Sequence, residues 1–95
     1  MAEVALHLDA EWDYESAFAW YWKRSRRAAV GLEKAFELAI AFIGLHPEAS
    51  ALCDERHRYR SLKRYPYGIV YRMIGDAIRV VAVPHDKQLP GFWIK

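Results

Sequence analysis

His85 is the side chain best suited to move protons at neutral pH, because imidazole titrates near neutrality and can serve as general acid or base. Arg60, Arg64, Arg72 and Lys87 can neutralise phosphate oxygens, and Tyr67 or Tyr71 can donate a hydrogen bond. Cutting RNA without a metal needs an activated 2′-hydroxyl, a cation against the charged phosphorane and a proton donor for the leaving oxygen. The candidate catalytic set is therefore His85, Arg64, Arg72 and Arg60. A structural alternative stands beside it. A histidine in a turn can simply hold that turn, and cations on edge strands discourage sheet-to-sheet pairing.

The distribution of charge sharpens the question. Net charge is only +2, yet residues 56–72 carry Arg56, Arg58, Arg60, Lys63, Arg64 and Arg72 with no carboxylate among them. Such a stripe suits a phosphate-rich or acidic partner, since each cation near a phosphate releases counterions and adds salt-sensitive affinity. On this ground Arg58, Lys63 and Lys87 are candidate contacts to a target or nucleic acid.

Composition excludes several classes. A chain of 95 residues supports one domain, spanning 1–95, with a single core. At 54% hydrophobic and 27% charged it is ordinary for a folded protein. Four Trp and six Tyr point either to a core of large residues or to a surface that a partner covers. Cys53 is the only cysteine, so no intrachain disulfide forms and a cytoplasmic setting is expected. The first residues lack a basic n-region, and Glu3 and His7 interrupt the apolar run, which argues against a signal peptide. The longest near-apolar run, 38–45, falls well short of the roughly 20 residues that cross a bilayer. His7, His46, His57 and His85 show no metal-ligand spacing, and no Gly-rich phosphate loop or nucleophile elbow is present. No metal and no cofactor are expected.

The elements that must position these residues follow from periodicity. Val4, Leu6 and Leu8 alternate with Glu3, Ala5 and His7, which predicts a strand over 3–8 with Asp9 as the following cap. Ala10, Tyr14, Ala17, Phe18 and Tyr21 fall on one helical face and predict a helix over 10–24, acidic at its start and basic at its end. Leu32, Ala35, Phe36, Ala39, Ile40 and Ile43 predict a second helix over 28–44, closed by Gly44 and Pro47. Strands are expected over 56–62, 67–74 and 77–83, the last two joined at Gly75-Asp76. The order is β-α-α-β-β-β. It implies an α+β fold in which an N-terminal helical hairpin packs on one face of a mostly antiparallel four-stranded sheet. Period-2 alternation sends Arg72 to the opposite face from Tyr71.

The C-terminal third carries a basic strand, the turn Tyr65-Pro66-Tyr67, a strand with Tyr71 and Arg72, the Gly75-Asp76 hairpin, a second apolar strand, His85, and then Pro90 and Phe92-Trp93. Together with Ala17, Trp20-Tyr21 and His46-Pro47 in the helical half, this resembles the RelE/ParE toxin family, to which many plasmid-stabilisation proteins belong. The resemblance implies the growth-inhibiting toxin of a type II toxin-antitoxin pair, neutralised by a cognate antitoxin. A homodimer or a toxin-antitoxin hetero-oligomer fits that picture. RelE-like members cleave messenger RNA on the ribosome, whereas ParE-like members inhibit DNA gyrase without being nucleases.

In the RelE-like nucleases the aromatic-Tyr turn is followed at once by a catalytic arginine, the position that Gly68 holds here. The basic-strand lysines of those nucleases fall near Tyr59 and Ser61, and their terminal-loop arginines become Lys87, Gln88 and Leu89. Removing one such group from a transition state costs about 2.7–4 kcal/mol. The ParE-like reading therefore leads. Under it Lys87 and Trp93 matter more for the target than His85. Messenger RNA cleavage is the alternative, and a non-toxic chain that retains only antitoxin binding is the third. On a helical wheel Trp12 lies roughly opposite the apolar stripe, so Trp12, with Trp20, is a candidate antitoxin contact; packing of Trp12 against a strand or loop is the structural alternative.

Overall fold

The computed structural model describes residues 2–88. Its elements run β1 (Val4–Leu6), α1 (Leu8–Arg24), α2 (Arg26–Leu45), β2 (Ala51–Leu52), β3 (Arg58–Ser61), β4 (Gly68–Ile74) and β5 (Ala77–Ala82). They form one sheet in the order β1-β5-β4-β3-β2, with β1 parallel to β5 and the other neighbours antiparallel. The α+β class and the element order match expectation, with one strand more. That strand, β2, is two residues that pair with Arg58 and Tyr59, too short to leave a period in the sequence.

Helix ends are set by local hydrogen bonds. His7, not Asp9, caps α1: its Nδ1 accepts the Asp9 backbone N–H at 3.1 Å, which moves the helix start two residues earlier than the apolar pattern suggests. Ser25 is the whole connection between the helices. Its N–H donates to the Tyr21 carbonyl (2.7 Å) and its hydroxyl accepts from Ala28 N–H (3.1 Å), so one residue ends α1 and starts α2. Gly44 does not end α2, which continues to Leu45. The Gly44 carbonyl instead accepts the Ala2 N–H (3.0 Å) and ties the lead-in of β1 to the helix.

The α2 stripe of Leu32, Phe36, Ala39 and Ile43 forms one buried cluster with Ile69 and Tyr71 of β4 and Ile78 and Val80 of β5. From α1, Ala10 and Ala17 enter this cluster, and Tyr14, Phe18 and Tyr21 pack against it half-buried. The β3–β4 turn is pinned from the helix side. Tyr65 donates its hydroxyl to the Ala28 carbonyl (2.7 Å), and Gly31 leaves room for it, because a Cβ at residue 31 would overlap that hydroxyl. At the far end Gly75, at φ 61°, supplies the positive φ that a two-residue hairpin needs.

Direct cross-strand partners share a face of the sheet. The register therefore places Arg58, Arg60, Ile69, Tyr71, Ile78 and Val80 toward the helices, and Tyr59, Gly68, Val70, Arg72, Ile74 and Arg79 on the open face. Pairing shifts between Val70 and Tyr71, so that Val81 is an extra residue in β5 and joins Arg72 and Arg79 along the open face.

Candidate target and partner surfaces

The cations proposed as one catalytic set lie on two faces. Arg60, on the helix side of β3, stacks its guanidinium on the Phe42 ring of α2 at 3.7 Å. Arg64 follows in the turn at φ 70°, a left-handed conformation unusual for a side chain other than glycine. Arg60, Lys63 and Arg64, with Lys34, rim a groove of about 570 Å³ floored by Ala35, Leu38, Ala39 and Phe42 of α2. Arg72 opens instead onto the other face, among His57, Ile74 and Arg79. Arg58 holds its own fold together: its Nη1 donates to the carbonyls of Ser50 (2.7 Å) and Glu48 (3.2 Å).

His85 sits half-buried in a bridge with Tyr67, its ring edge-on to the Tyr67 ring at 5.0 Å. Its Nδ1 accepts the Lys87 backbone N–H (3.0 Å) and its own N–H donates to Gln88 Oε1 (2.7 Å). A backbone N–H can only donate, so Nδ1 is unprotonated in this turn and the ring hydrogen lies on Nε2. His85 thus makes the hydrogen bonds of a turn-forming residue. Lys87 is exposed beside it, and Trp93 lies outside the described residues.

Near this turn the open face is closed by Tyr59, where the family resemblance implies only a missing lysine. Tyr59 donates its hydroxyl to Asp86 Oδ1 (2.9 Å), and its ring lies over Gly68, so that a Cβ at residue 68 would fall within the ring. Burial, and then the Asp86 carboxylate, push the Tyr59 phenol above its ordinary value, so it keeps its proton and acts as a donor, not a base. Gly68→Arg should therefore lower stability by about 1–3 kcal/mol through overpacking, measured by urea denaturation, and should confer no RNA cleavage.

The loop between β2 and β3 is clasped by Asp54. Its carboxylate accepts the backbone N–H groups of Arg56 (2.8 Å) and His57 (2.7 Å) and the His57 ring Nδ1 (2.9 Å to Oδ2). Burial alone would raise the Asp54 carboxyl, but these hydrogen bonds outweigh it and bring it down to about 2. A depressed carboxyl stabilises the fold fully above its ordinary value of 3.8 and ceases to do so as pH falls through about 2. Protection factors for amide exchange at Arg56 and His57, which divide out the intrinsic exchange rate, should accordingly fall as pH drops across that window in the native chain. In Asp54→Ala, which removes the acceptor of both N–H groups, that protection should already be absent at neutral pH and show no such acid step.

The helices present apolar side chains to solvent. Leu8 and Trp12 of α1 are 76% and 71% exposed, and Trp20 and Trp22 are also exposed. Trp20 is partly covered by the Arg24 guanidinium, 3.8 Å from its ring centre, whereas the ring contacts and stacked cations of the described residues leave Trp12 bare. Among the described residues no helix is long and apolar enough to cross a membrane.

A capped helical hairpin on one face of a mixed, mainly antiparallel five-stranded sheet makes this an α+β domain, a fold class shared with a solved toxin-antitoxin structure. The family described as "ParE toxin of type II toxin-antitoxin system, parDE" matches residues 4–90, and the chain belongs to that family. Among solved structures it is similar to a chain of the chromosomal ParDE TA system from P. aeruginosa, with a TM-score of 0.75 at 16% identity over 90% of this chain and 96% of that one. No curated protein sequence matches at a significant level.

Proposed function

We propose that this ParE-family toxin arrests growth in the cytosol by binding an essential protein, DNA gyrase first among the candidates, until a cognate antitoxin covers it. The observation that carries the reading is the Tyr59–Gly68 arrangement. Where the nuclease relatives set a catalytic arginine, this chain has a glycine with a tyrosine ring seated over it, and that tyrosine is a tightly protonated donor to Asp86. The remaining cations do not compensate from one place, since Arg60 and Arg64 face α2 while Arg72 faces away. His85 uses Nδ1 to hold its own turn. A surface that binds is favoured over a centre that cuts.

Inducing the chain without antitoxin in bacteria, with transcript 5′ ends mapped, tests this directly. Growth arrest with intact transcripts is expected, both for the native chain and for His85→Ala/Arg64→Ala. Supercoiling by purified gyrase should fall when the chain is added. New internal 5′ ends that vanish in the double variant would establish RNA cleavage instead, and normal growth with the folded chain present would leave a protein that only binds its antitoxin.

A further inference from the structure

The open face holds a second feature, away from Tyr59 and His85. Arg72 and Arg79 are direct cross-strand partners, which puts two guanidinium stems side by side on one face with Cα atoms about 4.5–5.5 Å apart. Like charges so placed oppose strand pairing. Moreover, the Arg72 Nε is buried and has no hydrogen-bond partner among the described residues, a state that proteins seldom leave uncompensated. Both arginines line a cavity of about 650 Å³, within the range of small-ligand sites.

Three further parts complete the cavity. Arg56 reaches the same wall, carried by the loop that Asp54 clasps through the Arg56 and His57 N–H groups, so its backbone position is set before any ligand arrives. Ile74 and Val81 give an apolar lining. Of the carboxylates that line the cavity, Asp54 is held by the His57 ring and by two backbone N–H groups, and Asp9 and Glu55 stand on the same wall. Adjacent guanidiniums, with a donor N–H left over, match the tetrahedral oxygens of a phosphate, which accept several charge-assisted hydrogen bonds at once.

We propose that this groove is a phosphate-binding site, in which Arg72 and Arg79 share the phosphate of a nucleotide-sized ligand and Arg56 closes over it. The site is independent of which protein the toxin poisons. It gives the domain a small-molecule input on the sheet face opposite the helical hairpin.

The test follows the arginine Nε–H signals of the ¹⁵N-labelled full chain by NMR, at constant ionic strength, during separate titrations with inorganic phosphate and with adenosine 5′-monophosphate. A saturable shift of the Arg72 Nε–H is expected with both. Arg79→Ala alters an exposed position, so the fold should persist, and binding should weaken by about tenfold or more. Tighter binding of the nucleotide would identify nucleotides as the source of the phosphate, and equal binding would identify the free ion; either supports the site. An Arg72 signal that ignores both probes at millimolar concentration, or an affinity unchanged in Arg79→Ala, would overturn it. A response confined to a glutamate-rich peptide would also overturn it, assigning the groove to carboxylates.

Discussion

Replacing Tyr71 with alanine is expected to remove about 3–5 kcal/mol of folding stability, the range for deleting a buried aromatic ring. Tyr71 is completely buried in β4, where Arg58 is its cross-strand partner on one side and Val80 on the other. Its hydroxyl donates to the Pro47 carbonyl at 2.8 Å, tying the segment after α2 to the middle of the sheet. Small domains hold only about 5–15 kcal/mol in all, so this one change consumes a large part of the margin. Tyr71→Phe separates the two contributions. It keeps the ring and leaves the Pro47 carbonyl without its partner, at a cost of about 1 kcal/mol. Urea denaturation midpoints of the two variants measure both terms, and a Tyr71→Ala loss no larger than that of Tyr71→Phe would show that the ring is not central to the core. In cells, growth arrest should disappear with Tyr71→Ala and survive Tyr71→Phe.

The same residue shows how far the sequence alone reaches. Alternation in 67–74 separates Tyr71 from Arg72, and the three- and four-residue stripe of Leu32, Phe36, Ala39 and Ile43 marks the face that covers Tyr71, because burial is periodic along each element. Gly75-Asp76 announces its hairpin for an equally local reason. Where the cause is distant in sequence, the pattern is silent. The ring over Gly68 comes from Tyr59 on the neighbouring strand, and the room for Tyr65 comes from Gly31 in a helix. Strand β2 exists because the Asp54 clasp turns the chain back on itself, an event that two apolar residues cannot advertise.

Much of the candidate site was illegible for this reason. A list of cations carries no face until register is known: Arg60 and Arg72 read as companions in the sequence, yet one stacks on Phe42 beneath the sheet and the other opens above it. Arg79 has no mark of its own in the sequence, because its importance depends on standing opposite Arg72. Its one trace in the sequence is symmetry about the turn. The two arginines lie at nearly equal distances on either side of the Gly75-Asp76 turn, which is what direct pairing across a two-residue hairpin requires.

Trp12→Ala is expected to weaken the complex with the antitoxin by about 30-fold or more, the loss of a 2 kcal/mol hot spot, while leaving the free toxin's stability within about 0.5 kcal/mol. The two halves of this expectation have one cause. Trp12 is 71% exposed in the free chain, so its indole contributes little to the fold and offers a large area to a partner. Leu8, one helical turn earlier and 76% exposed, extends the same face. Trp20 should matter less. Arg24 already stacks on its ring and donates Nη1 to its carbonyl at 2.9 Å, so part of the indole is covered before any partner arrives. Titration calorimetry with purified antitoxin would rank the two, and the cell offers an independent readout: antitoxin that rescues growth from the native toxin should fail to rescue it from Trp12→Ala. Undiminished affinity in Trp12→Ala would move the antitoxin off α1. The groove floored by Leu38 and Phe42 and rimmed by Lys34, Arg60, Lys63 and Arg64 would then be the surface to mutate, since its cations suit an acidic segment that can also bury apolar side chains.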